Sequence, residues 1–185
     1  MNRLDRASLL LALTEKLRTS GSWAGETHVQ KATYILETVL EVPAGFEFIL
    51  YKHGPFSFDL RDEIGTLRTD GFLGWEVKSE RYGPSLKAGP LGDALKQQFP
   101  SMPEKYESEI DFVTSRLGHK NVAELERLAT AIYVTLNERA PADRRAPRIN
   151  ELKRHVSLPE AEAAVEDADR LISEAKAEFA NVMTA

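Results

Sequence analysis

The stretch Phe48-Ile49-Leu50-Tyr51-Lys52-His53-Gly54-Pro55-Phe56-Ser57-Phe58-Asp59-Leu60, running on through Ile64, Leu67, Gly71 and Leu73, decides the fold. Phe46, Phe48 and Leu50 alternate with Glu47, Ile49 and Tyr51, the period of two that marks a strand. Gly54-Pro55 then predicts a turn. Ser57 is placed to cap a helix, and Asp59 suits that helix's positive end. Leu60, Ile64 and Leu67 share one face, and Gly71 is a natural left-handed stop. Residues 72–78 read as a strand, Tyr82-Gly83-Pro84-Ser85 as a turn and Leu86-Lys87-Ala88 as the returning strand. Helix, glycine stop and ribbon in that order predict a mainly α protein with a small β-wing. The core is winged-helix-like, with C-terminal helices packed on it.

Working outward, Leu9, Leu10, Leu13 and Leu17 predict a first helix to about Arg18, broken by Ser20-Gly21-Ser22. A second begins near Thr27 with a stripe of Val29, Ala32, Leu36, Val39 and Leu40, and ends at Val42-Pro43-Ala44-Gly45. Helix is expected again from about Glu104. Asn121 caps a helix carrying Leu125, Leu128, Ile132 and Leu136, and residues 140–147, with a proline near each end, read as a loop. Ile149, Leu152 and Val156 suggest a short helix. Ser157-Leu158-Pro159-Glu160 is a capping box that starts the last one. The expected organisation is a winged-helix-like unit over 1–100 and a helical region over 101–185, both parts of one compact body.

The 185 residues include no cysteine, which rules out disulfides, thiolate metal sites and a cysteine nucleophile and fits a cytoplasmic protein. No apolar run near the N-terminus is long enough to span a bilayer, and no signal-peptide pattern is present. A net charge of −5 argues against coating nucleic acid by bulk attraction.

Several of these blocks resemble the Panacea family, the domain of SocA-like antitoxins, and more closely its YwgA-like members. The segment His28-Val29-Gln30-Lys31-Ala32-Thr33-Tyr34-Ile35-Leu36 resembles the family's Leu-Gln-Lys-Leu-x-Tyr-x-Leu helix. Tyr51-Lys52-His53-Gly54-Pro55-Phe56-Ser57 is similar to its Tyr-Lys-Tyr-Gly-Pro-Tyr-Ser entry, with His53 in place of the commoner tyrosine. Residues 67–73 match its Leu-x-x-x-Gly-Leu helix end with one residue added. Residues 124–133 and 149–153 resemble the helices after the wing. The resemblance implies a helix-turn-helix-like core and an antitoxin or adaptor that engages a partner protein. It carries over no catalytic residue.

No catalytic constellation emerges from the residues themselves. His53, Ser57 and Asp59 have the types of a hydrolytic triad, but capping and the helix dipole account for Ser57 and Asp59. The four histidines are scattered, no pair stands at i, i+4, and no glycine-rich phosphate loop occurs, so neither metal nor cofactor is expected. Gln30 and Lys31 lie off the stripe of the second helix and read as a solvated face. The resemblance points to a partner contact for them. Two readings stand for residues 51–56: Gly54 and Pro55 shape the turn while the aromatics pack, or Lys52 and His53, polar groups on a rigid corner, form a recognition loop with Phe56. Gln30, Lys31, Lys52, His53 and Phe56 are the candidate partner-binding residues.

The helix before the wing holds Arg61 and Arg68 against Asp59, Asp62, Glu63 and Asp70, a poor charge for entering a DNA groove. The wing's Lys78, Arg81 and Lys87 stand against Glu76 and Glu80. The clearest basic cluster is Arg139, Arg144, Arg145, Arg148, Lys153 and Arg154, with only Asp143 and Glu151 among them. Two readings stand for it: a solvated loop balancing the acidic last helix, or a patch for an acidic protein or nucleic acid. The small-residue seam Ala161, Ala164, Ala168 and Ala175 reads as internal packing or a dimer contact. The leading expectation is a non-enzymatic protein that binds and controls a partner protein; the alternative is a winged-helix DNA-binding regulator.

Overall fold

A computed structural model gives the structure of the chain and describes residues 1–77, 79 and 83–180. It is mainly helical, with two antiparallel ribbons of two strands each. Helix α1 (Arg3–Thr19) starts at Asn2, whose side chain accepts from the Asp5 N–H. Its leucines 9, 10, 11, 13 and 17 are all buried, because α2, α4, α5 and α6 surround it. Helix α2 (Glu26–Thr38) is enclosed still further: every residue from His28 to Leu36 is buried. The expected single apolar stripe is therefore an undercount, since α1, α6, α7 and the first ribbon meet α2 on different sides.

Strand begins later than the alternation predicts. The Glu37 carboxylate accepts the backbone N–H groups of Gly45 and Phe46, which ties that segment to the end of α2. Strand β1 is only Ile49–Tyr51, and the expected Gly-Pro turn is a second strand, β2 (Gly54–Phe56), paired Ile49 to Phe56 and Tyr51 to Gly54. The turn itself falls on Lys52 and His53. Gly54 has φ +84°, and a Cβ there would sit 3.1 Å from Thr130 Oγ1, so both conformation and space call for glycine. Pro55 is acceptable because a two-stranded ribbon consists only of edges.

Helix α3 (Phe58–Thr69) is capped as expected, with Ser57 Oγ accepting from the Leu60 N–H. It stops at Gly71, where the Phe72 N–H returns to the Leu67 carbonyl. The second ribbon pairs β3 (Leu73–Glu76) with β4 (Ser85–Ala88), as the sequence predicts. Lys78, Glu80, Arg81 and Tyr82, part of the expected wing and turn, lie outside the described residues. Arg18 fastens this ribbon to α1, donating to Ser85 Oγ at 2.8 Å, the Leu86 carbonyl at 3.0 Å and Glu76 at 2.8 Å.

Helix resumes earlier than expected, with α4 (Gly92–Gln98), α5 (Ser101–Lys105) and α6 (Glu107–Leu117). Helix α7 (Val122–Ile132) begins with a capping box of Asn121 and Glu124 and continues into a π-helical turn, Tyr133–Asn137. Residues 142–147 are not the expected loop. They belong to α8 (Ala142–Leu152), which opens after Pro141 and carries Pro147 inside it. Packing of α8 on the last helix, α9 (Leu158–Phe179), offsets the backbone hydrogen bond that Pro147 removes. The alanine seam of α9 is buried within this one chain, in keeping with the internal-packing reading.

One hydrophobic cluster draws on helices from both ends of the chain. The turn from α6 to α7 closes tightly on the end of α1: a Cβ at Gly118 would lie 2.2 Å from the Ser20 carbonyl oxygen. Gly118→Ala is therefore expected to cost about 3 kcal/mol, read as a lower midpoint in urea unfolding with an unchanged slope. No helix among the described residues is long and apolar enough to cross a membrane.

Candidate functional site

All five candidate partner-binding residues lie in or directly beneath the β1–β2 ribbon: Lys52, His53 and Phe56 belong to it, and Gln30 and Lys31 reach it from α2. Gln30 grips Ser57 at two points: its Nε2 donates to the Ser57 carbonyl at 2.8 Å, and its Oε1 accepts the Ser57 N–H at 3.0 Å. Lys31 Nζ donates to the Pro55 carbonyl at 2.7 Å. The two side chains are 0% and 1% exposed. This corrects the expectation of a solvated face. Their contribution is to hold the ribbon from below, and they offer nothing for a partner to touch. A ribbon of two three-residue strands is marginal on its own, which explains the need for such support.

A third clamp comes from the far end of the chain. Lys153 Nζ donates to the Tyr51 carbonyl at 2.8 Å and to the Lys52 carbonyl at 2.5 Å. Lys153 was expected in a surface basic patch; the structure buries it under the turn. Glu126, buried on α7, supplies the counter-charge. Its carboxylate lies 3.6 Å from Lys153 Nζ, 3.2 Å from His53 Nδ1 and 3.4 Å from His155 Nε2. Burial pushes the Lys31 ammonium down to about 8; Glu126 opposes that shift and Lys153 adds to it. Lys153 is lowered too, by burial first, with Glu126 working against it.

On its outer side this clamped ribbon presents rings. Tyr51, Phe56 and Phe58 form a closed triangle, with centroids 5.8, 5.4 and 5.1 Å apart. Tyr51 is 51% and Phe58 39% exposed, and Ile49 beside them is half exposed. The Arg61 guanidinium stands 5.1 Å from the Phe58 ring centroid. Lys52 and His53 are exposed at the tip. The buried base fixes the backbone, and the surface carries apolar area with a polar rim.

The basic cluster of residues 139–154 is mostly spent inside the molecule. Arg145 reaches both oxygens of Asp169, at 2.5 and 2.9 Å. Arg148 reaches both oxygens of Glu138, at 2.8 and 3.1 Å, and Arg144 lies 3.3 Å from Glu151. Arg139 and Arg154 are exposed. The cluster stitches α8 to α9 and to the π-helical turn, which is closer to the balancing reading than to an open patch.

Sequence reasoning named the tip and Phe56 but missed Tyr51 and Phe58 as surface. The outward position of Tyr51 was present in the strand alternation. Nothing in the sequence marks Glu126, which sits between Leu125 and Leu128 in an apolar helix and resembles any solvated glutamate. No family model and no curated protein sequence matches this chain.

Proposed function

We propose that the chain is a non-enzymatic interaction protein that binds and controls a partner protein through the β1–β2 ribbon and the start of α3. The observation that carries this reading is the triangle of exposed Tyr51 and Phe58 with half-buried Phe56, on a backbone clamped by Gln30, Lys31 and Lys153. Exposed aromatic anchors next to an arginine are the composition of interface hot spots, and a pre-ordered backbone lowers the entropy lost on binding. The blocks that form this site are those that resemble the Panacea family, which supports an antitoxin-like or adaptor role. Among the described residues, the pairing of Arg144, Arg145 and Arg148 with carboxylates weighs against the DNA alternative.

Purification of tagged protein from its own host, with nuclease treatment, tests this. The wild type is expected to retain one stoichiometric protein, and Tyr51→Ala with Phe58→Ala to lose it by more than about tenfold while keeping its thermal midpoint. Retention by the double variant, or loss of all partners on nuclease treatment, would overturn the reading.

A further inference from the structure

A cleft of about 820 Å³ lies between the first turn of α2, the turn leading into α7 and the second ribbon. That volume suits a small ligand. Both tryptophans of the chain, Trp23 and Trp75, line it. Trp23 Nε1 donates to the Gly83 carbonyl at 2.8 Å, and the Arg68 guanidinium sits 4.4 Å from the Trp75 ring centroid.

Two helices begin at this cleft, so the positive ends of two backbone dipoles converge on it. They differ in how they are capped. Asn121 accepts the Glu124 N–H at α7, whereas Gly25 at α2 has no side chain to accept anything. A second observation points to a ligand at the same place. His28, in the first turn of α2, lines the cleft and is 4% exposed, and its Nδ1 has no hydrogen-bond partner. Leaving such an atom unmet costs stability unless something else meets it. Burial lowers the pKa of His28, with the Lys120 backbone acting in the opposite direction. Lys120 and His119 add cationic or donor groups to the wall, though Lys120 is shared with Asp167 at 3.3 Å. Among the described lining residues Glu26 is the one carboxylate, and burial raises its pKa while Arg61 opposes that shift.

We propose that this cleft binds a small planar ring bearing a carboxylate or phosphate, its anionic group at the first turn of α2 beside His28 and its ring along the indole walls. The His28 N–H is bonded to the Gly25 carbonyl, so the backbone N–H groups of Glu26 and Thr27 recognise the anion, and the indoles recognise the ring. None of the lining residues belongs to the aromatic triangle, and the proposal does not depend on the partner reading.

Because the only two tryptophans both line the cleft, intrinsic fluorescence reports on it directly. The purified full chain is titrated with AMP and adenosine, with nicotinate and nicotinamide, and with inorganic phosphate alone. Saturable quenching is expected from AMP, nicotinate or both, at least about tenfold tighter than from the uncharged counterpart or from phosphate alone. The pair that responds distinguishes a phosphate ligand from a carboxylate. Thr27→Glu places a fixed anion in the α2 first turn, so it should abolish the quenching while leaving the thermal midpoint unchanged or higher, since acidic groups favour a helix start. His28→Leu should weaken binding at least about fivefold. Equal response to charged and uncharged rings, no saturable change up to about 5 mM, or full binding by the folded Thr27→Glu variant would each overturn the proposal.

Discussion

Replacing Lys31 by methionine is expected to remove a rise in stability that the wild-type protein shows between pH 8 and pH 10. Burial lowers the Lys31 pKa to about 8, whereas the same side chain in the unfolded chain keeps its proton to near 10.4. Between those values the unfolded state holds more protons than the folded one, so stability increases with pH. The full difference corresponds to roughly 3 kcal/mol, present as a penalty below pH 8 and relieved as pH rises. Lys153, also lowered, contributes with the same sign. Tyr34 contributes with the opposite sign at higher pH, because burial raises its hydroxyl pKa. The useful window therefore closes near pH 10. Denaturant unfolding of both proteins at pH 7, 8, 9 and 10 isolates Lys31 as the difference in slope. Parallel curves for the two proteins would show that Lys31 is not held charged in a buried place.

The second large effect belongs to Glu126. It is the buried acid facing Lys153 and influencing Lys31, with His53 and His155 at its outer side. Glu126→Gln keeps the shape and removes the charge, leaving two buried ammonium groups without a counter-ion. Breaking a buried pair from one side costs about 3–5 kcal/mol, far more than loss of an exposed pair. Adding Lys153→Met to Glu126→Gln should restore part of the loss, with a coupling of about 1–2 kcal/mol in the double-mutant cycle. The pH window of Lys31 should also move downward in Glu126→Gln, because the group that raises its pKa is gone. An effect under about 1 kcal/mol for Glu126→Gln would mean that water already screens this cluster.

These effects mark the boundary between what was legible in the sequence and what was not. Capping residues act locally, so Asn121, Ser157 and Ser57 cap the helices that the sequence assigns to them. The β3–β4 ribbon was legible for the same reason. The β1–β2 ribbon was not, because Pro55 in a strand contradicts local preference, and contacts from distant helices, made by Gln30, Lys31 and Lys153, hold that conformation. The same long-range contact hid the true place of Gln30 and Lys31: polar residues in mid-helix look solvated until the partner carbonyl 24 residues away is known. Pro147 misled in the same manner, since packing of α8 against α9 overrode a helix-breaking residue. The Arg144, Arg145 and Arg148 cluster was visible as charge, but its acids come from α9, from Glu138 just after the π-helical turn and from α8 itself.

The base and the surface of the ribbon form one device in this account. The buried lysines fix the backbone, and the rings stand on it ready for a partner. Site-specific photo-crosslinking in the native host tests that claim most directly, with the photoreactive residue placed at Tyr51 and, as a control, at the exposed Glu162 of α9. The account predicts one discrete protein adduct from position 51 and none from position 162. Equal labelling from both positions, adducts to nucleic acid, or no adduct from position 51 would contradict it.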